Sequence, residues 1–275
     1  MSNTSSTSGW DQRPVIDTSV PHSARVWNYM LGGKDNYPID IEAAEQYVAI
    51  QPSCIDVARA SRGFLVRAVR HLAGEVGIRQ FLDIGTGLPT ANNTHEVAQA
   101  IAPECRIVYV DNDPLVLVHA RALLTSSPEG ITDYIDADVR DPEKILREAA
   151  RTLDFTQPIV LMLMGIMEHI LDSEEPYAIV KRLLDALCPG SYLVLSDPTP
   201  EADDGEATLE ASRQWNESGG NPPIIVRSRG ELTRFFEGLE LLEPGVVMNS
   251  RWRPDPVDIG TLPEVNGFGG VGRKP

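Results

Sequence analysis

FLDIGTGLPT, residues 81–90, carries a short apolar strand into two closely spaced glycines. Gly85 and Gly87 let a backbone turn tightly and approach a ligand closely. Taken alone, such a βα turn can equally serve the fold and bind nothing. Its surroundings decide. Beyond Gly77 short apolar segments alternate with helical ones. The strands are RQFLDI (79–84), RIVYVD (106–111), GITDYID (130–136), PIVLMLM (158–164) and SYLVLSD (191–197), with helices between them at 91–101, 114–124, 141–153 and 174–187. Strands that are apolar throughout and alternate with helices predict a parallel sheet covered on both faces. Right-handed crossovers then make it an open, doubly wound α/β fold. After Asp197, helical pieces at 206–217 and 229–237 lead to two more strand candidates, LELLEPGVV (239–247) and NGFGGVGRK (266–274). The last is read as an antiparallel strand rather than a Gly-rich tail.

Upstream of this alternation, residues 1–20 are Ser/Thr-rich without apolar periodicity and are expected to be poorly ordered. Residues 21–77 read as an N-terminal helical cap. A helix from Ser23 stops at Gly32-Gly33, and a long amphipathic helix follows over 55–72. Its apolar face holds Phe64, Leu65, Ala68 and Leu72, with Arg59, Arg62 and Arg70 elsewhere on its surface.

The chain has 275 residues, 42% hydrophobic and 6% aromatic, an ordinary globular balance. Its longest apolar run, residues 159–167, is far short of the roughly 20 needed to cross a bilayer. No basic and apolar leader opens it, so no membrane partner and a cytoplasmic location are expected. The net charge of −16, from 24 basic and 40 acidic residues, repels phosphate backbones and disfavours nucleic acid. It suits a cationic ligand. Cys54, Cys105 and Cys188 are scattered and read as reduced thiols, and His22, His71, His95 and His119 lack metal-ligand spacing, so no metal is expected. The oligomeric state is not legible.

In open α/β sheets the ligand lies outside the carboxyl ends of the strands. There this chain sets acids: Asp83, then Asp111 and Asp113, then Asp136 and Asp138. The third position of a dinucleotide fingerprint is Thr90, after Pro89, and Asp83 would oppose a pyrophosphate. Both argue against a nicotinamide-dependent oxidoreductase. A rim of carboxylates favours a cation, and S-adenosylmethionine (SAM) offers a sulfonium, an ammonium, a ribose diol and an adenine amine. The turn Gly85-Thr86-Gly87 would cradle it. Asp83 suits the ammonium, Asp111 with its neighbour Asn112 the ribose hydroxyls, Asp138 the adenine amine, and the Val139 backbone the ring. Asp113 and Asp136 read equally as a helix cap and a solvated acid.

The set FLDIGTGLPT, YVDNDP (109–114), DADVRD (136–141) and LVLSD (193–197) resembles the class I SAM-dependent methyltransferases. Together with VWNYMLGGKDNYPID (26–40) and FGGVGRKP (268–275), it is similar to a bacterial SAM-dependent methyltransferase family once catalogued only as a domain of unknown function. The resemblance covers about residues 20–275. It implies a seven-stranded, mostly parallel Rossmann-like sheet with an antiparallel last strand. It also implies a SAM-binding methyltransferase domain over 78–275, SAM as cofactor, and an unidentified small-molecule acceptor.

On that reading residues 23–40 roof the cofactor. Tyr29, Asn36 and Tyr37 face the substrate and, with Trp27, keep water from the methyl group; Lys34 or Arg25 pairs with the cofactor carboxylate. The alternative is a packed N-terminal subdomain with Gly32 and Gly33 as a helix cap. Glu168 and His169, in LMLMGIMEHILD (161–172), are the candidate catalytic residues. The resemblance implies a His in this neighbourhood, and the register gives Glu168 that place; His169 reads equally as a base and as a helix-facing histidine. Met162, Met164 and Met167 read as core filling. The alternative to an enzyme is a non-catalytic SAM-binding regulator.

Overall fold

The computed structural model describes residues 16–123 and 125–275, so the tail expected over 1–20 lies largely outside the described residues. Five parallel strands form the centre: β1 Gln80–Ile84, β2 Arg106–Asp111, β3 Ile131–Asp136, β4 Val160–Met164 and β5 Tyr192–Pro198. Three more complete an eight-stranded sheet: β6 Glu240–Leu241, β7 Val247–Met248 and β8 Gly267–Arg273. The order is β3-β2-β1-β4-β5-β8-β6, with β7 also paired to β8. β8 runs antiparallel to β5, β6 and β7. The segment read as one strand over 239–247 is therefore two short ones. Pro244 lacks the N–H that a continuous ladder needs, and a turn closes there, the Gly245 amide donating to the Leu242 carbonyl at 2.8 Å.

The helices are α1 Ser23–Met30, α2 Pro38–Ile50, α3 Cys54–Arg70, α4 Thr94–Ile101, α5 Pro114–Leu123, α6 Pro142–Ala149, α7 Pro176–Asp185, α8 Gly205–Glu217 and α9 Arg229–Arg234. Alternate strand residues feed two separate cores. Leu82, Val108, Leu161 and Leu193 pack on one face with Ile145 of α6, Leu183 of α7 and Leu232 of α9. Phe81, Ile107, Met162 and Val194 pack on the other with Phe64, Leu65 and Ala68 of α3 and Val97 of α4. Burial on both faces explains why β1, β2, β4 and β5 lack polar alternation, whereas β3, at the sheet's edge, is partly exposed.

This division corrects the expected cap over 21–77. α3 lays its apolar stripe on the sheet, so it belongs to the sheet's covering layer. A third cluster joins α1, α2 and the start of α3 to a later element: Val26, Met30, Ala44, Cys54 and Ala58 pack with Trp215 of α8. Among the described residues no helix is long and apolar enough to cross a membrane.

The loop LGGKDNY (31–37) is a clasp around one side chain. Asn28 of α1 is buried; its Oδ1 accepts from the Asp35 amide and from Asn36 Nδ2, each at 3.1 Å. The Gly33 amide donates to the Asn28 carbonyl at 2.8 Å, and a Cβ on Gly33 would overlap the Asn28 amide group. Only glycine lets the chain pass so close. The next turn is fastened by Asp40, fully buried, which accepts from the amides of His22 and Tyr37 at 3.0 and 2.9 Å and stands 3.4 Å from Arg25 Nε.

Candidate functional site

One cavity opens over the carboxyl ends of β1, β2 and β4, where the chain leaves each strand for a loop. Its floor is the turn after β1. Gly85 takes φ +73°, and a Cβ there would overlap the Ile166 side chain from the neighbouring β4 loop. The amides of Gly85 and Thr86 turn back onto the Val110 carbonyl at 2.7 and 3.4 Å. Its ceiling is one face of α1, with Ser23, Val26, Trp27 and Met30, joined by Tyr47 and Gln51.

The acids at the strand ends gather in this cavity. Asp83 is buried and accepts from Thr94 Oγ1 at 2.6 Å; burial raises its pKa to about 6 despite that bond and the nearby Arg62 guanidinium. Asp111 accepts from the amides of Gly87 and Asp113, both at 2.9 Å. Burial lifts it to about 6 as well, against those bonds. Asp138 is held differently. Its two oxygens accept from Asn112 Nδ2 at 2.8 Å, the Arg140 amide at 2.9 Å and the Arg140 guanidinium at 3.2 Å. A carboxylate has about four lone-pair sites, so an adenine amine reaching Asp138 has to displace one of these donors. Val139 lines the cavity beside it.

Beyond β4 a single 3-10 turn, Met167–His169, brings Glu168 and His169 to the same space. Burial pushes Glu168 up to about 7, with Arg227 pulling it back. His169 Nδ1 lies 3.0 Å from the Pro223 carbonyl, which can only accept, so the proton is on Nδ1 and Nε2 keeps its lone pair. Burial holds the ring neutral, with a pKa near 4. Met162 and Met167 are fully buried in the two sheet cores, while Met164 edges the cavity. Among the described residues no group of His, Cys, Asp and Glu could hold a metal ion.

A family model described as S-adenosyl methyltransferase matches residues 9–275. The chain belongs to this family. It is therefore an enzyme, and SAM is its methyl donor; the family assignment leaves neither the regulator nor the nicotinamide reading any support. A solved protein from Streptomyces avermitilis, of a family described only by a domain-of-unknown-function number, is 45% identical with a TM-score of 0.90, over 95% of this chain and 100% of that one. A candidate methyltransferase from Thermobifida fusca is 42% identical with a TM-score of 0.86, over 97% and 99%. The chain is also similar to a carboxy-S-adenosyl-L-methionine synthase from Citrifermentans bemidjiense, 28% identical over 165 residues. That match spans 58% of this chain and 62% of the relative, less than two thirds of its length.

Five residues expected at the methyltransferase's site stand outside the cavity. Arg25 is buried on the far side of α1, where its guanidinium donates to the carbonyls of Asp17 and Val20 at 3.0 and 3.2 Å and neighbours Asp40. Lys34 is exposed on the clasp. Tyr29 donates to Glu45 at 3.3 Å within the α1–α2 packing. Asn36 is spent on Asn28 and the Gly33 carbonyl. Tyr37 packs on Leu88, Leu115 and Val116 under the Arg25 guanidinium. The ceiling comes from α1 itself, and the loop after it holds α1 down.

In place of Lys34 and Arg25 the cavity presents Arg62, from α3. Burial draws its pKa down while Asp83, Tyr109 and Glu96 hold it up. Among the described residues it has no ion-pair partner within 4 Å. The sequence carried a signal for it: Ala58, Arg62, Leu65 and Val69 follow helical spacing, so Arg62 interrupts a stripe whose other members are buried. Asp197, the last acid of the LVLSD motif, is the second residue that the motif reading assigned no role. It lines the cavity at the end of β5 and is 3% exposed.

Proposed function

We propose that SAM lies across the ends of β3, β2 and β1, adenine first, and that its methyl group passes to a small-molecule acceptor held over β4 and β5. The observation that carries this reading is that Asp83 and Arg62, unpaired with each other within 4 Å but close enough to feel each other's charge, both line the β1 end of the cavity. An amino-acid end carries an ammonium and a carboxylate two bonds apart, and an anion beside a cation is the complement of that zwitterion. Asp111 serves the ribose hydroxyls, and Asp138, once freed from one donor, the adenine amine, with Val139 against the ring. Gly85, Thr86, Gly87 and Asn112 shape the floor.

When bound, SAM supplies an electrophilic methyl on a sulfonium. The protein has to align an acceptor with it and exclude water. Trp27, Met30 and Ile166 supply apolar surface for the second task. Glu168, with its high pKa, and His169, through Nε2, are the groups able to take a proton from an acceptor. A carboxy-substituted SAM, as in the synthase relative's name, would add an anion to a cavity already lined by acids; transfer of a methyl from SAM itself is therefore the reading adopted. The net charge of −16 argues against a nucleic-acid acceptor, and three unpaired thiols suit a reducing, cytoplasmic setting.

Calorimetric titration with SAM tests the site. Asp111→Ala should weaken binding by about 1.5–3 kcal/mol, the usual range for a hydrogen bond to a charged group, or roughly tenfold to a hundredfold. Unchanged affinity in a folded variant would remove Asp111 from the ribose.

A further inference from the structure

The sheet order lays the acids out in a line. From β3 through β2 to β1 stand Asp138, Asp111 and Asp83, and the next two strands, β4 and β5, present Glu168 and Asp197. Neighbouring strands are about 4.8 Å apart, so Glu168 and Asp197 lie one and two strands beyond the end assigned to the methionine part of SAM. That is where an acceptor has to be.

Neither carboxylate is satisfied by the protein. Both oxygens of Asp197 are buried without a hydrogen-bond partner. The Ile166 and Glu168 amides are near enough to ease its charge, yet neither bonds to it in good geometry. Glu168 accepts no side-chain hydrogen bond among the described residues, and the neighbouring His169 Nε2, 4.0 Å away, carries a lone pair and no proton to donate. The guanidiniums nearby are occupied elsewhere: Arg227 donates to the carbonyls of Met167 and Ile170 at 2.5 and 2.7 Å and to Asp172 at 2.8 Å, and Arg140 donates to the His169 carbonyl at 2.8 Å and to Asp138 and Glu174. Buried polar atoms are almost always paired, so Asp197, whose oxygens have no donor, calls for one from outside the chain, and Glu168, 13% exposed to the cavity, is open to the same donor.

We propose that Glu168 and Asp197 seat the protonated nitrogen of an amine, making this enzyme an N-methyltransferase of small amines. The assignment rests on the methyltransferase reading of the cavity and adds the acceptor class to it. In the reaction one ammonium proton passes to a carboxylate of the pair, which frees the nitrogen lone pair. Nitrogen then bonds the methyl carbon as the carbon–sulfur bond breaks, and that bond's electron pair stays on sulfur as a neutral thioether. The positive charge ends on nitrogen, so an anionic seat at the acceptor end stabilises the charge where it arrives. A carboxylate acceptor would instead bring a negative oxygen against the two acids, and an alcohol or phenol would donate one hydrogen bond but bring no positive charge to balance theirs.

The test loads the full chain with S-adenosylhomocysteine, whose thioether is uncharged, so that only the probe brings a new cation. Methylammonium, small enough for any acceptor space, is compared with sodium at equal ionic strength and with methanol, its neutral isostere. The readout is the shift in thermal midpoint, taken against each variant's own midpoint. Methylammonium should raise the wild-type midpoint more than sodium or methanol does. That excess should fall by at least half in Asp197→Asn, which keeps the shape and removes the charge, and in Glu168→Gln. A wild-type shift no larger than sodium's, or one that survives in both variants, overturns the assignment. Calorimetry with S-adenosylhomocysteine separates the two layers. If folded wild type fails to bind it, the cofactor reading fails; if it binds and methylammonium has no effect, only the acceptor class does.

Discussion

Arg62 shows how one misplaced charge changes the reading of a site. Read as a surface residue, it left the cofactor carboxylate to Lys34 or Arg25. In the folded chain Arg25 is tied to Asp40 and two carbonyls, Lys34 is exposed outside the cavity lining, and Arg62 lines the cavity with Asp83. Arg62→Ala should therefore weaken SAM roughly tenfold to a hundredfold and leave adenosine, which has no carboxylate, nearly unchanged. Lys34→Ala should move neither. Calorimetry on the two ligands decides it, and a larger loss in Lys34→Ala than in Arg62→Ala would reverse the assignment. The acids Asp83, Asp111 and Asp138 were legible because each stands at or within two residues of the carboxyl end of a strand, where ligands of such sheets lie. Arg62 sits on a helix, where a charge on the buried stripe is visible only when the spacing of its neighbours is counted.

The helices and strands of the central sheet were legible to within a few residues, because their periodicities are long and unbroken. The clasp was not. LGGKDNY looked like a wall because it holds aromatic and charged side chains, and nothing in its own composition says that the object it surrounds is Asn28. That information lies in a turn of the preceding helix. Asn28→Ala strips the Asp35 amide and Asn36 of their acceptor and should cost about 1–3 kcal/mol, the penalty for leaving a buried donor unpaired. Hydrogen exchange should show amides 31–37 losing protection while those of β1 to β5 keep theirs. Equal protection in variant and wild type would mean that the packing of α1 on α2, and not Asn28, holds the loop. The participation of α8 in the same cluster was equally invisible. Trp215 comes more than 160 residues after the helix it meets, and no local pattern reports such a contact.

Taken as one body, the protein is an anion with its most reluctant carboxylates inside the cavity. Asp83 and Asp111 at about 6 and Glu168 at about 7 are all lifted by burial. A bound cation favours their charged forms, so it lowers these values and releases protons. Affinity for SAM should accordingly rise with pH through that window, by roughly tenfold between pH 5.5 and 7.5 if about half a proton is released on average. Calorimetry in two buffers of different ionisation enthalpy measures the release directly; a flat affinity with no proton release would show that these acids are already charged without ligand. The overall architecture was the most legible level of all, since strand–helix alternation fixes a parallel sheet almost alone. β8, poor in side chains, was read as an antiparallel last strand, and it is one, set between β5 and β6. During synthesis this strand leaves the ribosome after every other strand of the sheet. Until it does, the backbone of β5 has an open flank, β6 and β7 have nothing to pair with, and the half-made sheet is exposed to pairing with neighbouring nascent chains. The sheet closes only when its latest strand enters the slot between β5 and β6 that the rest of the chain has left for it.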